Sequence, residues 1–289
     1  MNESIDVIIP YHNDSKYIKE CLYSVLQQKL ETYIYILDDN SSDSDKLLEI
    51  IKDINSNNIF YFRNKKTLNG AGSRNIGIAK SKSKYICFLD SDDVWMCEKL
   101  SRQLNLYQDG TILTSQVFKG KSIEESKILP VIVKNNSEPV SDALFVHNKL
   151  IQTSTFFMTS DIAKKVMFNP DLPRHQDYDF LLRAESLGYT IIQDNTPTSF
   201  WRVEDDSSDR FLKKKATPEF FIEWFSEYKK YMTPMAQVSY VSKNIFSSCV
   251  ITKKFKLLAL FLFDGNFKFT ELVSIFYNVI KWRVNKVFK

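Results

Sequence analysis

Histidine and cysteine are scarce in this chain, and their scarcity removes several chemistries at once. Among 289 residues there are three histidines and four cysteines, and neither set has the paired spacing of a zinc site. Cys21, Cys87, Cys97 and Cys249 lie far apart. Cys21 and Cys87 fall in apolar segments, so buried free thiols in a reducing compartment are expected. No apolar run approaches the roughly 18 residues that span a bilayer. No Gly-Lys-Ser/Thr follows a glycine-rich stretch, which excludes a P-loop, and no glycine fingerprint follows the first expected strand. The chain enters that strand with no basic-then-apolar segment before it, so a cytosolic chain is expected.

Charge is also lacking over most of the length. The formal net charge is +4. From Val250 to Lys289 eight basic residues face only Asp264 and Glu271, a net of +6 that leaves about −2 for the remainder. A slightly acidic body argues against a nucleic-acid groove. The basic, aromatic tail fits attraction to an anionic membrane surface.

What is present is an alternation of short apolar runs and helical periods. Asp6–Pro10, Tyr33–Leu37, Ile59–Phe62 and Tyr85–Leu89 read as strands. Between them, Tyr17–Gln28 and the stretch around Leu47–Ile51 carry apolar residues at helical spacing. Asn69-Gly70-Ala71-Gly72-Ser73 reads as a loop entering a helix that carries Arg74. The pattern implies βαβ units and a mostly parallel α/β sheet.

Two of the strands end in carboxylates, Asp38-Asp39 and Asp90-Ser91-Asp92-Asp93. Right-handed crossovers place both ends on one edge, where open α/β sheets bind ligands. Carboxylates so close repel one another unless a cation sits among them, and Mg²⁺ or Mn²⁺ is commonly held by one or two carboxylates with phosphate oxygens. Alone, the Asp-rich run reads equally well as a turn. Arg74 is placed to reach a phosphate, or is a surface arginine on a helix start.

Later segments are less regular. Gly120–Pro139 reads as a polar loop, Ile151–Met158 as a strand, and Asp161–Val166 as a helix capped by Ser160. A helix from Asp177 presents Phe180, Leu181, Ala184 and Leu187 on one face and ends at Gly188. Thr190–Gln193 reads as a strand and Trp201–Ser208 as a mobile loop. Beyond Pro218 aromatic and basic residues interleave on helices, either packed on the domain or lying at a membrane interface.

Taken together these residues resemble the family-2 inverting glycosyltransferases of the GT-A fold. The resemblance rests on Val7-Ile8-Ile9-Pro10-Tyr11-His12-Asn13, Asp38–Asp43, Arg74-Asn75-Ile76-Gly77, Asp90-Ser91-Asp92-Asp93, and Gln176-Asp177-Tyr178-Asp179 with Arg183. It spans roughly residues 5 to 205, and the tail beyond about 215 lies outside it. The implied organisation is a transferase domain over 1–215, with a nucleotide-sugar half (1–115) and an acceptor half (116–215), followed by a helical region over 216–289.

The resemblance implies a role for each matching residue. Asp39 would bond the nucleotide base, with Pro10, Tyr11 and Asn13 in the loop lining its pocket. Arg74 joins the donor side, Asp90 would hold the ribose or sugar, and Asp92 would bind Mn²⁺ or Mg²⁺ at the diphosphate. Asp177 occupies the general-base position, with His175, Gln176 and Arg202 on the acceptor side. Two departures stand out. Gln176-Asp177 replaces the usual Glu-Asp, and Glu204 follows Arg202 where many members carry a histidine.

One base without a protein nucleophile implies single displacement and inversion at the sugar carbon. The expected donor is a UDP-sugar. The expected acceptor is a polyprenyl-diphosphate-linked glycan, made for O-antigen or capsule at the inner face of the membrane. A sugar nucleotidyltransferase would need a basic glycine-rich loop after the first strand, and Tyr11-His12-Asn13-Asp14 is not one. A non-catalytic nucleotide-binding scaffold is the reading from another class, against which the intact Asp92 and Asp177 speak.

Overall fold

The computed structural model describes residues 4–203, 217–263 and 267–287. Four parallel strands open the chain: β1 (Ile5–Tyr11), β2 (Thr32–Asp38), β3 (Ile59–Arg63) and β4 (Tyr85–Phe88). Helices α1 (Ile18–Leu26), α2 (Ser44–Ile54) and α3 (Asn69–Lys80) link them, and α4 (Lys99–Leu106) follows later in the chain. Strands β5 (Val94–Trp95), β6 (Thr111–Gly120), β7 (Lys127–Leu129), β8 (Phe157–Thr159) and β9 (Thr190–Arg202) extend the sheet in the order β3-β2-β1-β4-β8-β6-β9-β5, with β7 on β6. Beyond β4 the directions are mixed: β8 runs antiparallel to β4 and β6, whereas β6 and β9 are parallel. The expected α/β sheet is therefore present, parallel in its first half and mixed beyond.

Strands β1 and β2 are buried on both faces, and their side chains alternate between two packed layers. Ile5, Val7 and Ile9 of β1 join Ile34 and Ile36 of β2 in a core closed by Ile18, Leu22, Val25 and Leu47 from the two helices. Each such side chain contributes about 1.5–3 kcal/mol by leaving water. On the other face α3 lies close to the sheet because Gly77 has no side chain. A Cβ there would sit 2.4 Å from Ile8 Cγ2 and 3.1 Å from Leu37 Cδ2.

Several local expectations change. The glycine-rich stretch is no loop, since α3 begins at Asn69 and its first turns contain Gly70 and Gly72. Ile151–Met158 is strand only at its end, because Thr153–Thr155 form a 3₁₀ turn before β8. Ser160 does not cap its helix, α5 (Ser160–Val166). Its hydroxyl donates to the Ser83 carbonyl at 2.6 Å instead. Residues 111–120 form a ten-residue strand that the polar Thr114, Ser115 and Gln116 conceal, and β7 pairs with it inside the expected loop. Trp201 and Arg202 end β9, and residues 204–208 of the expected mobile loop lie outside the described residues. Leu187 is exposed rather than on the packed face of its helix.

The chain divides into two compact units, Met1–Ser137 with Lys149–Asp206, and Glu138–Asn148 with Ser207–Lys289. The second unit has its own aromatic core. In α7 (Pro218–Tyr228), Trp224 stacks on Tyr228 at 4.6 Å and on Tyr240 at 5.0 Å, and Phe145 meets Tyr240 edge-on at 5.1 Å. Thr217 caps α7 by accepting from the Phe220 amide at 3.2 Å, with Pro218 at the first helical position. Among the described residues no helix is long and apolar enough to cross a membrane.

Gly77→Ala tests the helix–sheet approach. It forces a methyl group into Ile8, and a loss of about 1–3 kcal/mol in unfolding free energy is expected by denaturant titration. An unchanged midpoint would mean that α3 shifts freely.

Candidate active site

The carboxyl ends of β1, β2 and β4 form the acidic edge. The loops after β1 and β2 turn through left-handed residues, Asn13 at φ 56° and Asn40 at φ 60°. They are laced together. Asn13 Oδ1 accepts from the Ser42 amide (2.8 Å) and hydroxyl (2.9 Å), and the Asn13 amide donates to Ser41 Oγ (3.2 Å). Tyr11 is the last residue of β1 and fully buried, so it belongs to the core and not to an open loop; Pro10 beside it is half-buried.

The two aspartates ending β2 have separate fates. Asp38 is fully buried and accepts from the Ser41 amide at 2.8 Å, Ser44 Oγ at 2.5 Å and the Tyr61 hydroxyl at 2.7 Å. Burial pushes its pKa up, but those donors together hold it below the usual carboxylate range. Asp38 is a structural staple and does not face the crevice. Asp39 Oδ1 accepts from Asn64 Nδ2 at 2.9 Å and the Leu68 amide at 2.7 Å, which pins the carboxylate at the edge. Asn64 directly follows β3, so its place at a strand's carboxyl end was the signal that could have found it.

At the end of β4, Arg74 forms an ion pair with Asp90 and reaches Gln176 Oε1 from Nη1 at 3.3 Å. Gly70 leaves the room, since a Cβ there would lie 3.0 Å from Arg74 Nη1. Ser91 Oγ donates to Asp14 Oδ2 at 2.6 Å. Asp93 is fully buried and accepts from Gln152 Nε2 (2.6 Å), Ser154 Oγ (2.7 Å) and the Arg202 amide (3.2 Å). Burial, then the charges of Asp90 and Asp92, push its pKa far up. Sequence reasoning missed Gln152 and Ser154, which lie in a segment read as plain strand.

Arg202 closes this side. Its Nε donates to the Asp92 carbonyl at 3.1 Å and its Nη2 to Glu20 Oε2 at 2.5 Å, while the guanidinium lies over the Tyr17 ring at 4.6 Å. Glu204, beyond it, lies outside the described residues.

Among the described residues no three His, Cys, Asp or Glu side chains are arranged to hold a metal ion. The donor set nevertheless suits a hard cation held mainly by its substrate. Asp92 is half-buried at a strand end where Asp90 and Asp93 stand beside it, and one carboxylate of this kind with phosphate oxygens is the usual donor set for such an ion. Asp92, with at most one neighbouring carboxylate, fits a site completed by phosphate oxygens.

Helix α6 (Gln176–Ser186) brings the remaining group. His175 enters it in the left-handed region, φ 62°, with its ring stacked on Tyr178 at 4.8 Å. Burial and then the Arg174 charge lower its pKa well below the ordinary value, so it stays neutral. Gln176 Nε2 donates to the Leu172 carbonyl at 2.8 Å.

Asp177 Oδ1 accepts from the Tyr178 amide at 2.9 Å. Amides at the helix start and the Arg74 charge favour the ionised form, but burial outweighs them. The pKa is pushed up to about 6. That Arg74 and Asp90 act on Asp177 places all three in one electrostatic neighbourhood.

Asp179 faces the interior. It is fully buried and doubly bonded to Arg183, from Nε and from Nη2, each at 2.6 Å. Arg183 Nη2 also donates to the Met167 carbonyl at 2.6 Å, tying α6 to the end of α5.

Comparison with known proteins agrees with this architecture. Residues 6–164 match the family described as glycosyl transferase family 2. The amylovoran biosynthesis glycosyltransferase AmsB of Erwinia amylovora is 30% identical over 240 residues, covering 80% of this chain and 79% of AmsB. An Escherichia coli relative, UDP-Glc:alpha-D-GlcNAc-diphosphoundecaprenol beta-1,3-glucosyltransferase WfaP, is 27% identical over 71% of this chain and 79% of its own. Among solved structures, S. aureus TarS 1–349 with UDP-GlcNAc superposes with a TM-score of 0.62 at 16% identity, covering 95% of this chain and 79% of TarS 1–349. Mannosyltransferase PcManGT of Pyrobaculum calidifontis, with GDP-Man and Mn²⁺, gives 0.61 at 11% identity over 96% of this chain and 86% of its own. The chain belongs to glycosyl transferase family 2, and its fold is that of the GT-A glycosyltransferases.

The two helix carboxylates predict opposite stability effects. Asp179→Asn leaves Arg183 without its buried partner and is expected to cost about 3 kcal/mol or more. Asp177 has its folded pKa raised to about 6, so its charge opposes folding above the unfolded value. Asp177→Asn at pH 7 should therefore hold or raise the melting temperature. Equal losses in the two variants would contradict this division.

Proposed function

We propose that this glycosyltransferase is metal-dependent and inverting, moving a sugar from a UDP-sugar to a hydroxyl of a lipid-linked glycan in bacterial surface-polysaccharide synthesis. The observation that carries the reading is the junction at Arg74, which joins Asp90 at the donor edge to Gln176 beside Asp177. The amylovoran role of AmsB supports a polysaccharide setting, and the diphosphoundecaprenol substrate of WfaP supports a polyprenyl-diphosphate acceptor. The TarS complex supports a UDP-sugar, and the Mn²⁺ complex of PcManGT supports a divalent ion.

Each residue then has a task. Asp39, pinned by Asn64 and Leu68, accepts a hydrogen bond from the nucleotide base, with the Asn13 loop beside it. Asp90 holds the ribose or sugar and Asp92 the cation, which when bound stabilises the negative charge developing on the leaving diphosphate. Asp177 takes the proton from the acceptor hydroxyl as its oxygen attacks the anomeric carbon and the nucleoside diphosphate departs. His175, Gln176 and Arg202 flank the acceptor. Because the attack is direct, the sugar carbon inverts.

A pKa near 6 suits a base working at neutral pH, ionised before reaction and basic enough to take a proton. The second unit is the membrane-facing part of this proposal. Phe255, Phe263, Phe269 and Ile280 are exposed on its helices beside Lys254, Lys256 and Lys268.

Asp177→Asn should bind UDP normally yet lower turnover by about 10²-fold or more. In the wild type, kcat/KM should fall as pH drops through about 6, where the base becomes protonated. Near-wild-type turnover in Asp177→Asn would move the base elsewhere. Asp92→Asn should abolish the Mn²⁺-dependent part of UDP affinity, and an unchanged Mn²⁺ response would sink that assignment. The combined variant Phe263→Ser, Phe269→Ser, Ile280→Ser should lose binding to anionic vesicles at low salt while retaining turnover on a soluble acceptor. Vesicle binding that persists would exclude this membrane face.

A further inference from the structure

Strand β3 forms the outer edge of the sheet, and the face beside it is aromatic. Alternation puts Tyr33 and Tyr35 of β2 on the face that α3 covers further up at Leu37. Phe60 and Phe62 of β3 join them, with Tyr35 lying 5.4 Å from Phe60 and 6.1 Å from Phe62. Helix α3 ends at Lys80, short of these rings, and leaves a cavity of about 700 Å³ over them. A second cavity of about 640 Å³ is lined by Arg63, Lys65 and Lys66, and it shares Phe62 and Lys80 with the first. The two form one groove along the edge strand.

The groove is cationic as well as aromatic. Its linings carry Lys65, Lys66, Lys80 and Lys82, with Arg63 turned onto Asp38 and the Ser41 carbonyl, against the single lining acid Asp6. Asp6 is fully buried and committed to the wall, accepting from Ser81 Oγ (2.7 Å), the Lys82 amide (2.7 Å), the Ser83 amide (2.9 Å) and Ser83 Oγ (2.6 Å). Its occupant must therefore combine apolar surface with negative charge.

A chain of pyranose rings bearing carboxylates meets both demands. The C–H faces of the sugars lie on the negative faces of aromatic rings, and spaced carboxylates meet spaced lysines. A nucleic acid carries a charge at every residue and suits a more densely basic surface than one set in an acidic body. A bilayer needs a projecting surface, and this one is concave.

We propose that the groove binds an acidic oligosaccharide, a charged stretch of glycan held apart from the site of transfer. At its upper end the lining includes Asn64, which anchors Asp39, so a bound chain extends toward the nucleotide edge. The inference rests on membership of a glycan-building family and is independent of the roles proposed for Asp92 and Asp177.

The test is calorimetric titration of the full chain with hexagalacturonate, maltohexaose, a thymidine decamer and anionic vesicles. Wild type should bind hexagalacturonate in a salt-sensitive manner and more tightly than the neutral maltohexaose. Phe60→Ala, which removes an exposed ring, and the pair Lys66→Ser, Lys80→Ser should each weaken that binding about tenfold or more. Thermal unfolding and UDP affinity should stay at wild-type values. Absence of hexagalacturonate binding, or equal binding by the variants, overturns the proposal. Tighter binding of the decamer or of vesicles, lost in the same variants, overturns it in favour of that partner.

Discussion

The ion pair between buried Arg74 and half-buried Asp90 is the constraint on which the acidic edge depends. Burying a guanidinium is costly, and Arg74 is held by its pair with Asp90 and by further contacts. The support is spread across the chain: Gly70 makes room, Ser154 receives the Asp90 amide at 3.1 Å, and Gln176 accepts from the free edge of the fork. An arginine anchored in this way joins α3, the end of β4 and the start of α6. Those are the parts that a two-substrate enzyme has to keep in register.

Around that pair the carboxylates are sorted by environment and not by sequence. Asp38, Asp93 and Asp179 are all fully buried, and each is spent on holding backbone or a neighbouring side chain. Asp39 is pinned at the edge. At Asp177 two opposing effects can be weighed, since helix amides favour the charged form and burial disfavours it. Burial wins, and the result is a weaker acid than a surface aspartate.

Much of this was legible in the residues. The parallel half of the sheet announces itself through apolar runs separated by helical periods, and the acidic ends follow from right-handed crossovers. Strand β6 was hidden because Thr114, Ser115 and Gln116 look like loop residues. Their side chains are satisfied inside the sheet, Thr114 by the Ile192 carbonyl and Ser115 by Thr198. Likewise nothing in Asp38-Asp39 or Asp177-Tyr178-Asp179 says which member turns inward. That choice depends on partners far along the chain, such as Tyr61 for Asp38, or Val166 and Met167 for the Arg183 that holds Asp179.

The edge makes its left-handed turns with asparagine. Asn13, Asn40 and Asn69 all have positive φ, where glycine would be the least strained residue. Asn13 and Asn69 use their amides as tethers as well: Asn13 to Ser42, and Asn69 both to the Ala71 amide (2.9 Å) and to the Pro170 carbonyl (2.7 Å). Few substitutions at these two positions can therefore keep both the turn and the tether. Glycine keeps the turn and drops the tether, while aspartate keeps acceptors only and adds charge to an edge already crowded with it. The loops owe their shape to a residue that few substitutions can imitate, so this part of the protein should tolerate change in its ligands more readily than change in its hinges.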